Sequence, residues 1–143
     1  MQHKNIIITG ATDGIGLAAA KSIAKKGYHV SLVGRNPDKG RKALEAIIAH
    51  SGNENLDFFE CDLSLVANVK DLADRIKQKH SKIDVMLNNA GGANKTKQIT
   101  SEGLEKTFAT NQMNYFVLST ELLNILSESN DGRIAVSYTH LTL

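Results

Sequence analysis

Gly10, Gly14 and Gly16 come directly after the apolar run Ile6, Ile7 and Ile8 and the residue Thr9, and a helix-forming run, residues 17–20, follows them. A glycine turn between a strand and a helix lets backbone N–H groups approach an anion, and the helix opening there adds its positive dipole end. The chemistry implied is phosphate binding. The same turn is also consistent with an ordinary tight strand-to-helix connection. A second residue stands out by its spacing. Leu104, Phe108, Asn111, Tyr115, Leu118, Leu122 and Ile125 recur three and four apart, and Asn111 is the one amide on that stripe. A buried amide needs partners, since an unsatisfied one costs about 1–3 kcal/mol. Asn111 is therefore either a satisfied structural amide or a functional group. The histidines at 3, 29, 50, 80 and 140 lack metal-ligand spacing and read as surface or loop residues, so no metal site is expected. Cys61 is the only cysteine, which excludes an internal disulfide and a cysteine-rich zinc site and fits a reducing, cytoplasmic setting.

The elements that must position these residues alternate along the chain. Residues 15–26 read as a helix with Ile15, Ala18, Ala19, Ile23 and Ala24 inward and Gly27 beyond its end. Residues 28–33 read as a strand. Asn36 as N-cap and Pro37 as first residue open a second helix to about residue 49, with Ala43, Leu44, Ile47 and Ile48 inward. A third strand spans 56–60, and Ser64 caps a third helix carrying Leu65, Val69, Leu72 and Ile76. A fourth strand spans 83–87, a polar loop covers 93–100, the longest helix covers 101–127, and a fifth strand begins at 133. This alternation with short links predicts a parallel sheet with right-handed crossovers and helices on both faces.

At 143 residues the chain is one domain at most, 41% hydrophobic and 22% charged. A formal charge of +2 gives no reason to expect nucleic acid as a partner, and no run is apolar enough to be a membrane segment or a signal peptide.

With these residues in hand, the chain resembles the short-chain dehydrogenase/reductase family over residues 4–135. The resemblance rests on Thr9-Gly10-x-x-x-Gly14-x-Gly16 after the first strand, Asp62 after the third, Asn89-Ala90-Gly91 after the fourth, and Asn111 in the long helix. It implies a Rossmann-type, doubly wound α/β sheet of strand order 3-2-1-4-5, here stopping after the fifth strand, with a dinucleotide at the switch point between the first and fourth strands. Gly10, Gly14, Ile15 and Gly16 would hold the adenine ribose and pyrophosphate. Asp62 and Leu63 would meet the adenine edge, and Asn89, Ala90 and Gly91 would line the adenosine side. Asp13 stands where the family often has serine or a basic residue. At the end of the second strand, Gly34-Arg35-Asn36 offers no carboxylate to a ribose hydroxyl before Asp38, while the Arg35 guanidinium suits a 2′-phosphate, so NADP(H) is expected over NAD(H). Gly34-Arg35-Asn36 and the residues from Asn111 to Phe116 look most like the retinol dehydrogenase-like branch, although Asn114 replaces its common glycine.

The family's proton-transfer pair, Tyr-x-x-x-Lys, is absent: Leu32, Ser119 and Thr142 stand four residues after Tyr28, Tyr115 and Tyr138. Of the catalytic set only Asn111 is assigned, because Ser137 comes earlier on its strand than the family's serine. The expectation is an N-terminal part, residues 1–135, of an oxidoreductase acting on a small alcohol or carbonyl compound, the longer protein being a homo-oligomer. The alternative is a non-catalytic dinucleotide-binding regulatory or scaffold protein. Residues 136–143 resemble one reading frame of a transposon-end sequencing adapter and are expected to be a non-native tail.

Overall fold

A computed structural model describes residues 3–137. Five strands, β1 (Asn5–Thr9), β2 (His29–Gly34), β3 (Leu56–Glu60), β4 (Val85–Asn88) and β5 (Arg133–Val136), form one parallel sheet of order β3-β2-β1-β4-β5. The expected strand order and fold class are those observed. Ile6, Ile7 and Ile8 of β1 are all buried because the central strand is covered on both faces. One core lies under α1 (Gly14–Ala24) and α2 (Pro37–Ser51) and contains Ile6, Ile8, Leu32 and Ile47. The other lies under α3 (Val66–Lys79) and the last helical stretch, and contains Ile7, Val33, Leu72, Ile76 and Leu118.

Several inward faces differ from expectation. In α1 the buried residues are Gly16, Ala20 and Ala24, while Ile15 is 75% exposed and Ala18 is also exposed. Small residues one turn apart let this helix lie against the sheet, and that contact sets its rotation. Ile48 is exposed, and Gly40 is buried instead, with the Phe58 ring where a Cβ would stand. Ser64 does not cap α3. Its hydroxyl donates to Asp62 Oδ1 (2.8 Å), and the carboxylate of Glu102 accepts from Val66 N (2.6 Å) and Ala67 N (2.9 Å), satisfying the helix start from a distant loop.

The long helix is shorter and interrupted. It begins at α4 (Lys106–Phe108), passes through a π-helical turn at Ala109–Met113, continues as α5 (Asn114–Glu121), and breaks at Leu122 before α6 (Leu123–Ser127). A π turn takes in an extra residue and rotates the helix beyond it, so Phe108 is exposed while Tyr115, Leu118, Leu122 and Ile125 are buried. Two histidines expected at the surface or in loops are neither: His80 is buried at the end of α3, and His29 is a half-buried strand residue. Of the expected tail, Val136 ends β5 and Ser137 N donates to Asn88 O (3.1 Å); residues 138–143 lie outside the described residues.

Candidate functional site

A crevice of about 440 Å³ opens at the carboxyl ends of β1, β2, β3 and β4. The strand order puts β1 beside β4 with the crossovers diverging from that point, the place where an open α/β sheet leaves room for a ligand. Of the expected site residues, Gly10, Asp13, Arg35, Asp62, Leu63, Ala90 and Gly91 line the crevice. Gly14, Ile15, Gly16, Asn89 and Asn111 do not line it. Thr12, Cys61, Ser64, Asn94, Lys106 and Thr110 line it as well and are not among the expected residues. Only a spatial signal could reveal Lys106 and Thr110, since they reach the site from a helix start more than 40 residues beyond Asp62 in sequence.

The floor is built by a junction between the two central loops. Thr9, fully buried, accepts at Oγ1 from Asn89 N (3.0 Å) and Ala90 N (3.0 Å). Asn89 Nδ2 in return donates to Thr9 O (3.1 Å) and Gly10 O (3.2 Å). Asn89 thus holds the glycine loop from beneath. Gly10, at φ +64°, would bring a Cβ to 2.8 Å from Ala90 Cα, and a Cβ on Gly16 would lie 2.2 Å from Gly10 O and 2.5 Å from Asn89 Nδ2. Gly16 is therefore a packing residue that brings the start of α1 down onto the loop. Gly14, at φ +52°, opens α1, and Asp13 Oδ1 accepts from its N–H (2.8 Å).

Asn111 sits in the π turn. Its Oδ1 accepts from Gly92 N (2.9 Å) and its Nδ2 donates to Gly92 O (2.9 Å), so both ends of the amide are engaged by one backbone unit. Tyr115 anchors the same loop through a bond from its hydroxyl to Ala90 O. Burial raises the Tyr115 phenol above its usual value, which fits a structural hydroxyl. At the β3 end of the crevice, burial works to raise the Asp62 carboxyl. The bonds from Ser64 N and Oγ, with the charges of Lys106 and Arg35, outweigh it and hold the group below its ordinary range. Burial pushes the neighbouring Cys61 thiol up to about 11, so it remains protonated at neutral pH.

This geometry, a glycine loop at a helix start pinned to an Asn-Ala-Gly loop across a switch point, coincides with a sequence match: the family model for short chain dehydrogenase covers residues 4–137. The chain belongs to the short-chain dehydrogenase family. Among relatives of this family, dehydrogenase/reductase SDR family member 12 of Bos taurus is 40% identical over 128 residues, which is 90% of this chain and 40% of that protein. Human polyprenol dehydrogenase is 34% identical over 123 residues, 86% of this chain and 37% of that protein. A short-chain dehydrogenase of Shigella flexneri 2a, solved in complex with NADP, superposes with a TM-score of 0.80 at 29% identity, covering 95% of this chain and 59% of its own. The chain thus spans about two fifths of the length of the curated relatives it matches.

The short-chain dehydrogenase residues present suit a nicotinamide dinucleotide. Gly10 and Gly16 let the glycine loop, the Asn89-Ala90 loop and the start of α1 pack together without side chains between them, the N-terminus of α1 adds its positive dipole end beside the crevice, and Arg35 and Lys106 bring positive charge to the lining. Asp13 is the exception. Its carboxylate stands at the helix start, with Lys39 Nζ 3.7 Å away as its counter-charge.

Proposed function

We propose that this chain is the cofactor-holding part of an NADP(H)-dependent short-chain oxidoreductase that moves hydride between the nicotinamide and an alcohol or carbonyl substrate. The observation that carries the proposal is the β1–β4 junction, in which Thr9, Asn89 and the close-packed Gly10 and Gly16 hold the glycine loop against the Asn89-Ala90 loop at the switch point. The bound cofactor would supply the hydride. The residues of this chain bind it, orient it and position the loop of residues 90–94. NADP(H) is preferred over NAD(H) because Arg35, directly after β2, is in the crevice lining and no carboxylate stands between it and Asp38 in sequence. The proposed setting is cytoplasmic. Among the described residues no helix is long and apolar enough to cross a membrane.

A second reading, a dinucleotide-binding regulatory protein, has one observation in its favour. Asn111 spends its amide on Gly92, so its presence on the helix has a structural explanation that needs no catalysis. The chain alone is proposed to turn over no substrate on either reading, because it holds no Tyr-x-x-x-Lys pair and general acid–base transfer typically contributes about 10²–10⁴-fold. The experiment joins this chain to the C-terminal half of a catalytically active relative and assays NADPH oxidation against small aldehydes and ketones, beside the chain alone. Turnover by the chimera and none by the chain supports the oxidoreductase reading. Tight NADPH binding without turnover by either supports the regulatory one.

A further inference from the structure

At the end of the sheet opposite the crevice, three residues distant in sequence converge. His29 opens β2, Asp57 is the second residue of β3, and His80 terminates α3. Asp57 is in register with Ser31, two residues from His29, so all three strand side chains share the face covered by α3. His29 Nε2 lies 3.1 Å and His80 Nε2 3.3 Å from the same oxygen, Asp57 Oδ2, and one ligating atom from each residue falls within 4.8 Å of the others. Side-chain exposure is 22% for His29, 11% for Asp57 and 8% for His80, so the cluster is largely shielded from water.

The contacts have the lengths of hydrogen bonds without their alignment. Asp57 Oδ2 is buried and receives no hydrogen bond although two imidazole nitrogens adjoin it, and His29 Nδ1 is also buried without a partner. Donor and acceptor atoms that approach edge to edge in this way fit lone pairs converging on a shared point. A tetrahedral ion with bonds of about 2.0–2.1 Å holds its ligands about 3.3 Å apart, close to both observed spacings. Ser31 Oγ is hydrogen-bonded to His80 Nε2 at 3.3 Å, so an ion there would take the place of that bond and have the hydroxyl beside its fourth position. Lys79 Nζ bonds the other carboxylate oxygen, Oδ1, and leaves Oδ2 to the imidazoles.

We propose that His29, Asp57 and His80 form a site for one divalent ion of the zinc type, which ties β2, β3 and the end of α3 together far from the dinucleotide crevice. Two imidazoles and one carboxylate are a donor set suited to zinc, with the remaining position left for water or the Ser31 hydroxyl. The role is structural: an ion bound by the folded chain alone stabilises it in proportion to the logarithm of its concentration over Kd.

The untagged chain is titrated with Zn2+ by calorimetry and with Co2+ by visible absorption, folding being followed by far-UV circular dichroism. One equivalent bound, with the intense visible bands of four-coordinate Co2+, is expected. Asp57→Asn and His80→Gln should each weaken binding at least about tenfold, and His50→Gln, on the exposed end of α2, should leave it unchanged. If the ligand variants unfold, Lys79→Met decides, because removing the ammonium beside Asp57 should tighten binding several-fold. The proposal is overturned by a folded chain that takes up no stoichiometric ion, by uptake that survives Asp57→Asn or His80→Gln in folded protein, by uptake lost in His50→Gln, or by affinity that Lys79→Met leaves unchanged or weakens.

Discussion

Replacing Thr9 by valine keeps the shape of the side chain and removes the single oxygen that accepts from both Asn89 N and Ala90 N. Thr9 is fully buried and Ala90 nearly so, leaving water little access to replace the lost acceptor. Each orphaned N–H costs about 1–3 kcal/mol, and Asn89, being half-buried, recovers part of its share, so a loss of about 2–4 kcal/mol is expected. Set against a total of about 5–15 kcal/mol for an ordinary domain, this is a large fraction. Thr9→Ser is the control. It keeps the oxygen and removes one methyl, at about 0.8 kcal/mol plus a small cavity contribution. Urea unfolding followed by circular dichroism reads both, and with an m-value of about 2 kcal/mol/M the Thr9→Val midpoint should fall by roughly 1–2 M. NADPH affinity should fall with it, because the same junction holds the glycine loop. A Thr9→Val midpoint equal to that of wild type, or a Thr9→Ser loss as large as that of Thr9→Val, would refute the reasoning.

Gly16→Ala should abolish saturable NADPH binding in fluorescence titration, since its Cβ would lie 2.2 Å from Gly10 O and the loop must move to admit it. Asn111→Ala should cost about 1–2 kcal/mol by losing two bonds to Gly92, and amide exchange at Gly92 should quicken markedly. For the buried Asp84, burial acts to raise the carboxyl, but Ser129 Oγ (2.6 Å), Asn5 N (2.8 Å) and Lys82 outweigh it and hold it below its ordinary value. A depressed carboxyl contributes stability that is present above its unfolded pKa of about 3.9 and is lost as pH falls through the folded value. Asp84→Asn should therefore lower stability at neutral pH and flatten the acid limb of the stability curve, measured as urea midpoints between neutral and acid pH.

The order of elements was legible because each carries a local signal: three isoleucines on the central strand, Gly27 beyond the end of the first helix, Asn36-Pro37 at the start of the second. Which face of a helix turns inward was less legible where packing overrides hydrophobicity. Gly16, Ala20 and Ala24 bring α1 close to the sheet and leave Ile15 exposed, although a count of apolar residues puts Ile15 inside. The π turn at Ala109–Met113 has no composition cue, and it displaces Phe108 from the expected stripe. Asp62, Ala90 and Gly91 were readable as crevice residues through the family resemblance, and Arg35 through its place just after β2. Lys106, Thr110 and the His29, Asp57, His80 cluster depend on register and crossovers between distant segments, which spacing along the chain does not encode.

Parallel titration of NADPH and NADH against the chain and its Arg35→Ala variant tests the central claim most directly, since Arg35 lines the crevice directly after β2 and no carboxylate follows it in sequence before Asp38. A charge-assisted bond to the 2′-phosphate predicts that the wild type prefers NADPH by about tenfold to a hundredfold, and that Arg35→Ala loses this preference while NADH affinity is unchanged. Equal affinity of the wild type for the two cofactors, or no saturable binding of either, would contradict the account.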